Sequence, residues 1–191
     1  QHDIQVALDS DCVSKHMLIS GCFLTSRSNP KALNEARSVV SGYRKLGVNY
    51  VLAVFDTSEQ VPNFYKFLFE WLIEDPKLGL LIKSKGGNTW SDLTQGNNQS
   101  DNSLDKIIQL ALNTQRIHLM SGYASPGDAA LVSDFTLGLH SISATAVAAL
   151  QGARVLYVDY ERLDQGAQSP YSIFHSLGPD RCVFYNLKSL R

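Results

Sequence analysis

The chain has 191 residues, of which 44% are hydrophobic and 18% charged, and its formal net charge is −1. This length and composition suit one folded domain with a full hydrophobic core, and they exclude a largely disordered chain. The near-zero charge, without a dense basic block, lacks the electrostatic footprint of a nucleic-acid binder. The longest apolar runs, such as Val51–Phe55 and Leu78–Ile82, have the length of strands rather than of membrane spans.

The cysteines Cys12, Cys22 and Cys182 are far apart and lack CxxC spacing, so the sequence predicts neither a structural zinc site nor a disulfide framework. No signal peptide is recognisable in these residues, and we expect a cytoplasmic location. We expect residues 1–191 to form a single α/β domain of a larger two-domain protein, with residues 1–15 as a linker-like segment.

Short apolar runs alternate with helical patterns along the chain. After a first predicted strand at His16–Leu24, Asn29 caps a helix that begins at Pro30 and runs to about Leu46, where Gly47 ends it. Further strands are predicted at Asn49–Phe55, Leu78–Lys83, Arg116–Met120, Phe135–His140, Arg154–Asp159 and Arg181–Asn186. Helices are predicted from Pro62 onward and at Leu104–Leu112, Ala129–Ser133, Ser143–Gln151 and Tyr171–Leu177. The polar stretch Gly86–Ser103 is predicted to be a loop with a helical turn around Trp90–Leu93.

The predicted strands are continuous apolar runs rather than strict alternations of apolar and polar residues. Such runs are typical of a parallel sheet that is covered by helices on both faces. The sequence therefore predicts a doubly wound, mostly parallel α/β sheet of the Rossmann-like type. The alternative is an α+β arrangement with one antiparallel edge.

In an open parallel sheet, ligands bind beyond the carboxyl ends of the strands, so the residues that follow each strand are the candidate site. The most informative segment is 140–145, where several hydroxyls fall at the start of a predicted helix. A helix start offers unpaired N–H groups and a positive dipole end, which favours an anion such as phosphate. The alternative is that Ser141 or Ser143 simply caps the helix.

Residues 116–159 resemble the nucleotide-sugar-binding half of GT-B glycosyltransferases. Four features carry the resemblance: a strand, a Ser-Asp pair in place of the family's Ala-Asp, a serine-rich turn and a glycine after a helix. They lie at Ile117–Met120, Ser133-Asp134, Ser141–Thr145 and Gly152–Val155. In addition, Leu80–Lys85 (LLIKSK) is similar to a strand of bacterial surface-polysaccharide transferases.

The resemblance implies a glycosyltransferase domain that binds a nucleotide-sugar donor and serves polysaccharide biosynthesis without a metal or other cofactor. It also implies a glycan acceptor and a separate acceptor-binding domain, which would supply the general base and any peripheral membrane association. The active site within this chain would therefore be incomplete, and no nucleic-acid partner is expected.

Roles follow from the resemblance by position. The phosphates would be held by Ser141, Ser143, Ala144 and Thr145. Lys83 or Lys85 would neutralise the charge of these phosphates, and the backbone at Gly21 would come close to them. The base would be bordered by Ser121, Gly122 and Tyr123, and donor hydroxyls would be accepted by Asp159 and Glu161. The candidates for a catalytic role are Lys83 and His140.

Two departures from the family pattern leave other functions open. Many GT-B enzymes carry an acidic residue five positions before the helix-ending glycine, where this chain has Val147, and Arg154 replaces a proline. A non-catalytic sugar- or ligand-binding domain is therefore one alternative. A nucleotide-sugar epimerase of the same fold is another, with Asp159 and Glu161 as its acidic groups. Neither G-x-G-x-x-G after the first strand nor a P-loop is present.

Overall fold

A computed structural model describes residues 28–55, 62–83, 102–139, 143–159 and 182–191. The helices are α1 (Pro30–Lys45), α2 (Pro62–Glu74), α3 (Asn102–Asn113), α4 (Pro126–Ala130), α5 (Ser143–Leu150) and a final 3₁₀ helix (Leu187–Leu190). The strands are β1 (Tyr50–Phe55), β2 (Leu78–Lys83), β3 (Ile117–Leu119), β4 (Phe135–Leu139), β5 (Val155–Val158) and β6 (Val183–Phe184). The strand predicted at 16–24, the turn at 90–93 and the helix at 171–177 lie outside the described residues.

The strands form one six-stranded sheet in the order β3-β2-β1-β4-β5-β6. Every pairing in it is parallel, from β2 with β3 at one side to β5 with β6 at the other. The prediction of a doubly wound parallel sheet is confirmed, and no antiparallel edge strand occurs in the described part of the chain. The strand order reverses between β1 and β4, which is where sheets of this type form a ligand crevice.

Local sequence signals set the ends of the first helix as predicted. The Asn29 side chain accepts hydrogen bonds from the backbone N–H groups of Lys31 and Ala32, and Pro30 occupies the first position of the helix. After the helix, Gly47 has φ +87°, a conformation that costs glycine far less than other residues.

Helices cover both faces of the sheet, which we call face A and face B. Face A is covered by α2, α3 and the 3₁₀ helix, whose side chains pack on Leu52, Val54, Leu80 and Ile82. Face B is covered by α1, α4 and α5, which pack on alternate residues of the same strands. Because both faces are covered, β1 is buried at every position after Tyr50, which explains its continuous apolar run.

Two predicted elements need the largest corrections to their bounds. The short helix predicted at Ala129–Ser133 is in fact α4, which begins three residues earlier because Ser125 and Asp128 form a capping box around Pro126. The last predicted strand, at 181–186, shortens to the two residues of β6, and Asn186 then caps the 3₁₀ helix by accepting from the N–H of Lys188. Within the described ranges, no helix combines the length and the apolar character needed to span a membrane.

Candidate functional site

The candidate site lies at the carboxyl edge of the sheet, which we define as the edge where the strands end. Because all the strands are parallel, the end of β2 at Lys83, the end of β5 at Val158 and the start of α5 after β4 share this edge. Three interstrand spacings of about 4.8 Å separate β2 from β5, so their ends lie roughly 14 Å apart. The predicted positions Lys83, Ser143 and Asp159 are thus brought to one edge.

Lys83 lies on face B at this edge. Side chains alternate between the two faces along a strand, so Lys83 lies on the same face as Leu81, which belongs to the face B core. Its register partner on β1, Phe55, belongs to the same core. Lys83 is half-buried, whereas the rest of β2 is fully buried. Face B is also the face of α5, so the lysine and the start of that helix lie on the same side of the sheet.

The first turn of α5 is anchored to β5. Ala144 is half-buried and Thr145 is fully buried. The Thr145 hydroxyl is hydrogen-bonded to that of Tyr157, which is 4% exposed. Burial raises the pKa of Tyr157, and the bond with Thr145 opposes that increase in part. The Thr145 side chain therefore holds the helix to the sheet, and the backbone N–H groups are what this turn can offer to an anion.

Asp159 follows β5 and is fully buried. Its backbone N–H donates to the carbonyl of Phe184 at 2.9 Å, which extends the pairing of β5 with β6 by one residue. Alternation from Val155 places Asp159 on face B. The Asp159 side chain therefore belongs to the interior of the protein rather than to an open surface of the edge.

The turn after β3 carries an exposed aromatic side chain. Tyr123 is 85% exposed, beside the half-buried Ser121 and the exposed Gly122. The Ser121 hydroxyl accepts from the N–H of Tyr123 at 3.3 Å, and its carbonyl accepts from the N–H of Ala124 at 2.9 Å. These bonds fix the backbone and leave the ring accessible for stacking.

A fully buried carboxylate, Asp128, was not predicted as part of this edge. It accepts hydrogen bonds from the Ser28 hydroxyl at 2.6 Å and from the backbone N–H groups of Ser125 at 2.8 Å and Asn29 at 3.2 Å. The sequence signal for half of this arrangement is the capping box S-P-G-D at 125–128. The other half comes from residues about a hundred positions earlier and has no local signal.

The remaining predicted site residues lie outside the described ranges. They are Gly21, Lys85, His140, Ser141 and Glu161. Val147, at the position where the GT-B pattern carries an acidic residue, is 1% exposed. That position therefore belongs to the hydrophobic core of this protein, where an unpaired carboxylate would be strongly unfavourable.

The parallel sheet, its strand order and the helices on both faces define a Rossmann-like α/β protein. The chain matches no protein-family model, no curated protein and no solved structure. What it binds has to be inferred from its own residues.

Proposed function

We propose that this chain is the nucleotide-sugar-binding domain of a glycosyltransferase of the GT-B type, which transfers a sugar to a glycan acceptor. The observation that carries the proposal is that Lys83 and the start of α5 share one edge and one face of the sheet, beside the reversal of strand order. A lysine side chain and a helix start that lie together at the carboxyl edge are complementary in charge to a phosphate group.

The chemistry follows from where charge develops. When the bond between the sugar and the phosphate breaks, the departing nucleotide gains negative charge. The N–H groups of α5 and the ammonium of Lys83 stabilise that charge, and such preorganised groups contribute more to the transition state than to the ground state. The exposed ring of Tyr123 provides a stacking surface for the base. The acceptor and its general base belong to the second domain.

The test is a calorimetric titration with UDP-, GDP-, CMP- and dTDP-sugars. We expect one of these to bind, and we expect Lys83→Ala to weaken its Kd by about tenfold, the value of one charge-assisted hydrogen bond. Lys77→Ala is the matched control, because Lys77 is exposed and precedes the opposite end of the same strand. Its Kd should equal that of the unmodified protein.

Two outcomes would contradict the proposal. Equal Kd values for Lys83→Ala and Lys77→Ala would show that Lys83 does not contribute to binding of the nucleotide-sugar. Binding of none of the donors would favour the alternative of a non-catalytic domain for another ligand.

Tyr157→Phe gives a second prediction at this site. The change keeps the buried ring and removes only the hydroxyl that is bonded to Thr145. We expect a loss of about 1 kcal/mol in the free energy of unfolding. We also expect faster amide hydrogen exchange in the first turn of α5, because that turn loses its anchor.

Thr145→Ser retains a hydroxyl and should keep slow exchange, whereas Thr145→Val should behave like Tyr157→Phe. Unchanged exchange in Tyr157→Phe would show that the bond does not hold the helix.

A further inference from the structure

An open cavity of about 380 Å³ lies at the edge of the sheet where the strands begin, opposite the candidate site. It lies between two helix-to-strand turns, from α4 to β4 at residues 131–134 and from α5 to β5 at residues 151–154. We call it the amino-edge cavity. Its volume falls within the range of small-molecule sites in proteins.

The first observation that points to a ligand is the hydroxyl of Ser133, a residue that lines this cavity. Its oxygen is shielded from solvent and has no hydrogen-bond partner among the described residues. A shielded hydroxyl without a partner is destabilising, and most buried polar groups in native proteins are paired. Rotation about one side-chain bond allows this hydroxyl to donate to an acceptor that enters the cavity.

The second observation is a positive charge without a counter-charge. Arg154 is exposed at the cavity, and its guanidinium carbon lies 5.6 Å from the centre of the Phe135 ring. This contact holds the guanidinium at the start of β4, but no carboxylate in the described ranges forms an ion pair with it. Gln151 also lines the cavity, and its carboxamide makes no hydrogen bond to the described part of the chain.

The negative groups at the cavity already have partners. Oδ2 of Asp134 accepts from the guanidinium of Arg44 and from the N–H of Val51, both at 2.6 Å. Helix ends also carry partial negative charge, but two carbonyls in the last turn of α5 accept from the N–H groups of residues 152 and 153. The charge left unmatched at the cavity is therefore that of Arg154.

We propose that the amino-edge cavity binds a small molecule through a carboxylate group. The guanidinium of Arg154 and the hydroxyl of Ser133 donate to the carboxylate, and the carboxamide of Gln151 binds another polar group of the ligand. A carboxylate fits the planar fork of a guanidinium and carries the single negative charge that balances Arg154. A phosphate dianion would leave excess negative charge beside Asp134. The inference is independent of the proposed function, whose site lies at the other end of β4, roughly 17 Å away.

Thermal unfolding in sodium acetate tests the inference with a minimal carboxylate. We expect 100 mM sodium acetate at pH 7 to raise the Tm of the unmodified protein by about 4 °C relative to 100 mM sodium chloride, which corresponds to acetate at roughly ten times its Kd. Arg154→Gln should lose most of this shift. Arg37→Gln is the matched control and should keep it, because Arg37 is an exposed arginine of α1 that does not line the cavity.

Two results of this experiment would overturn the inference. One is the absence of an acetate shift in the unmodified protein. The other is an equal shift in Arg154→Gln and Arg37→Gln, which would be a general effect of acetate on the protein.

Ser133→Ala separates a ligand-binding hydroxyl from a structural one. Removal of an unpaired hydroxyl should raise the Tm in chloride by about 3 °C and should also reduce the acetate shift. A Tm in chloride no higher than that of the unmodified protein would show that the hydroxyl already has a partner. An acetate shift of full size would show that the hydroxyl does not contact the carboxylate. Either result would contradict the proposed role of Ser133.

The class of ligand and the location of the site are tested in the same way. The part of the shift that depends on Arg154 should be smaller in sodium phosphate of equal ionic strength than in acetate, and a larger one would overturn the assignment to a carboxylate. Lys83→Ala should keep the full acetate shift, because Lys83 lies at the carboxyl edge. Loss of the shift in Lys83→Ala instead of Arg154→Gln would place acetate at the candidate site and contradict the inference.

Discussion

Arg116→Met should lower the free energy of unfolding by about 4 kcal/mol, because it leaves the buried carbonyls of Leu72 and Leu78 without the donor that Arg116 provides, and each such loss costs about 1–3 kcal/mol. Arg116 is 7% exposed, and its guanidinium donates to the carbonyls of Leu72, Asp75 and Leu78, each at 2.6 Å. The Leu72 carbonyl depends on this contact, since the residue four positions later is Pro76, which has no N–H to donate. Methionine fills a similar volume but donates no hydrogen bond. Urea denaturation measures the change.

Arg44→Met is the matched control for that experiment. Arg44 also lies at the amino end of the sheet, where it pairs with Asp134 at 2.6 Å, but its side chain is 39% exposed. Water can replace an exposed partner, so we expect a loss of about 1 kcal/mol or less. A loss in Arg116→Met no greater than in Arg44→Met would show that water also satisfies the carbonyls of Leu72 and Leu78, and that Arg116 does not hold the end of α2.

The architecture could be read from the sequence because its signals are local. The continuous apolar run of β1 predicts a strand covered on both faces, and the Asn29-Pro30 pair predicts where α1 begins. Strand order was not predicted, since it depends on which strands pair over long separations. Once the order is known, the rule for ligand crevices selects the carboxyl edge between β1 and β4.

The candidate site was predictable by position but not by burial. Lys83 ends its predicted strand and Asp159 lies at the end of another, so the sequence predicts that both lie at one edge of the sheet. The topology brings the ends of these two strands to the carboxyl edge. That Thr145 is fully buried depends on Tyr157, twelve residues later and on another element. A serine, a threonine or an aspartate at a strand end reads the same in sequence whether it contacts a ligand or a neighbouring strand.

Asp128 and Arg116 were missed for a related reason. Each is a charged residue in a segment that reads as an ordinary helix start or strand start. Their partners are mostly backbone groups from distant parts of the chain, such as the N–H of Asn29 and the carbonyl of Leu72. Backbone groups carry no residue-specific signal, so only the fold reveals that these charges are buried and satisfied.

Gly79→Ala should lower the free energy of unfolding by about 2 kcal/mol, a typical cost of overpacking a core. A Cβ at this position of β2 would lie 2.7 Å from Cδ2 of Tyr43 and 3.2 Å from Cγ1 of Val48. The Tyr43 ring cannot easily move aside, because it is 3% exposed and its hydroxyl donates to the carbonyl of Leu80 at 3.0 Å. We therefore expect α1 to be pushed away from face B, which also disturbs the contact of its first residues with Asp128.

Gly42→Ala is the control for this prediction, and it should act in the opposite direction. Gly42 lies inside α1, next to Tyr43, and a Cβ there would meet no atom within 4 Å apart from the backbone of its own helix and its chain neighbours. Alanine in a helix interior is more favourable than glycine by about 0.5–1 kcal/mol, so this variant should be stabilised. Urea denaturation of both variants gives the comparison. If Gly79→Ala were as stable as Gly42→Ala, α1 would not approach β2 as closely as the structure shows. The position of the start of α1 beside Asp128 would then also be incorrect.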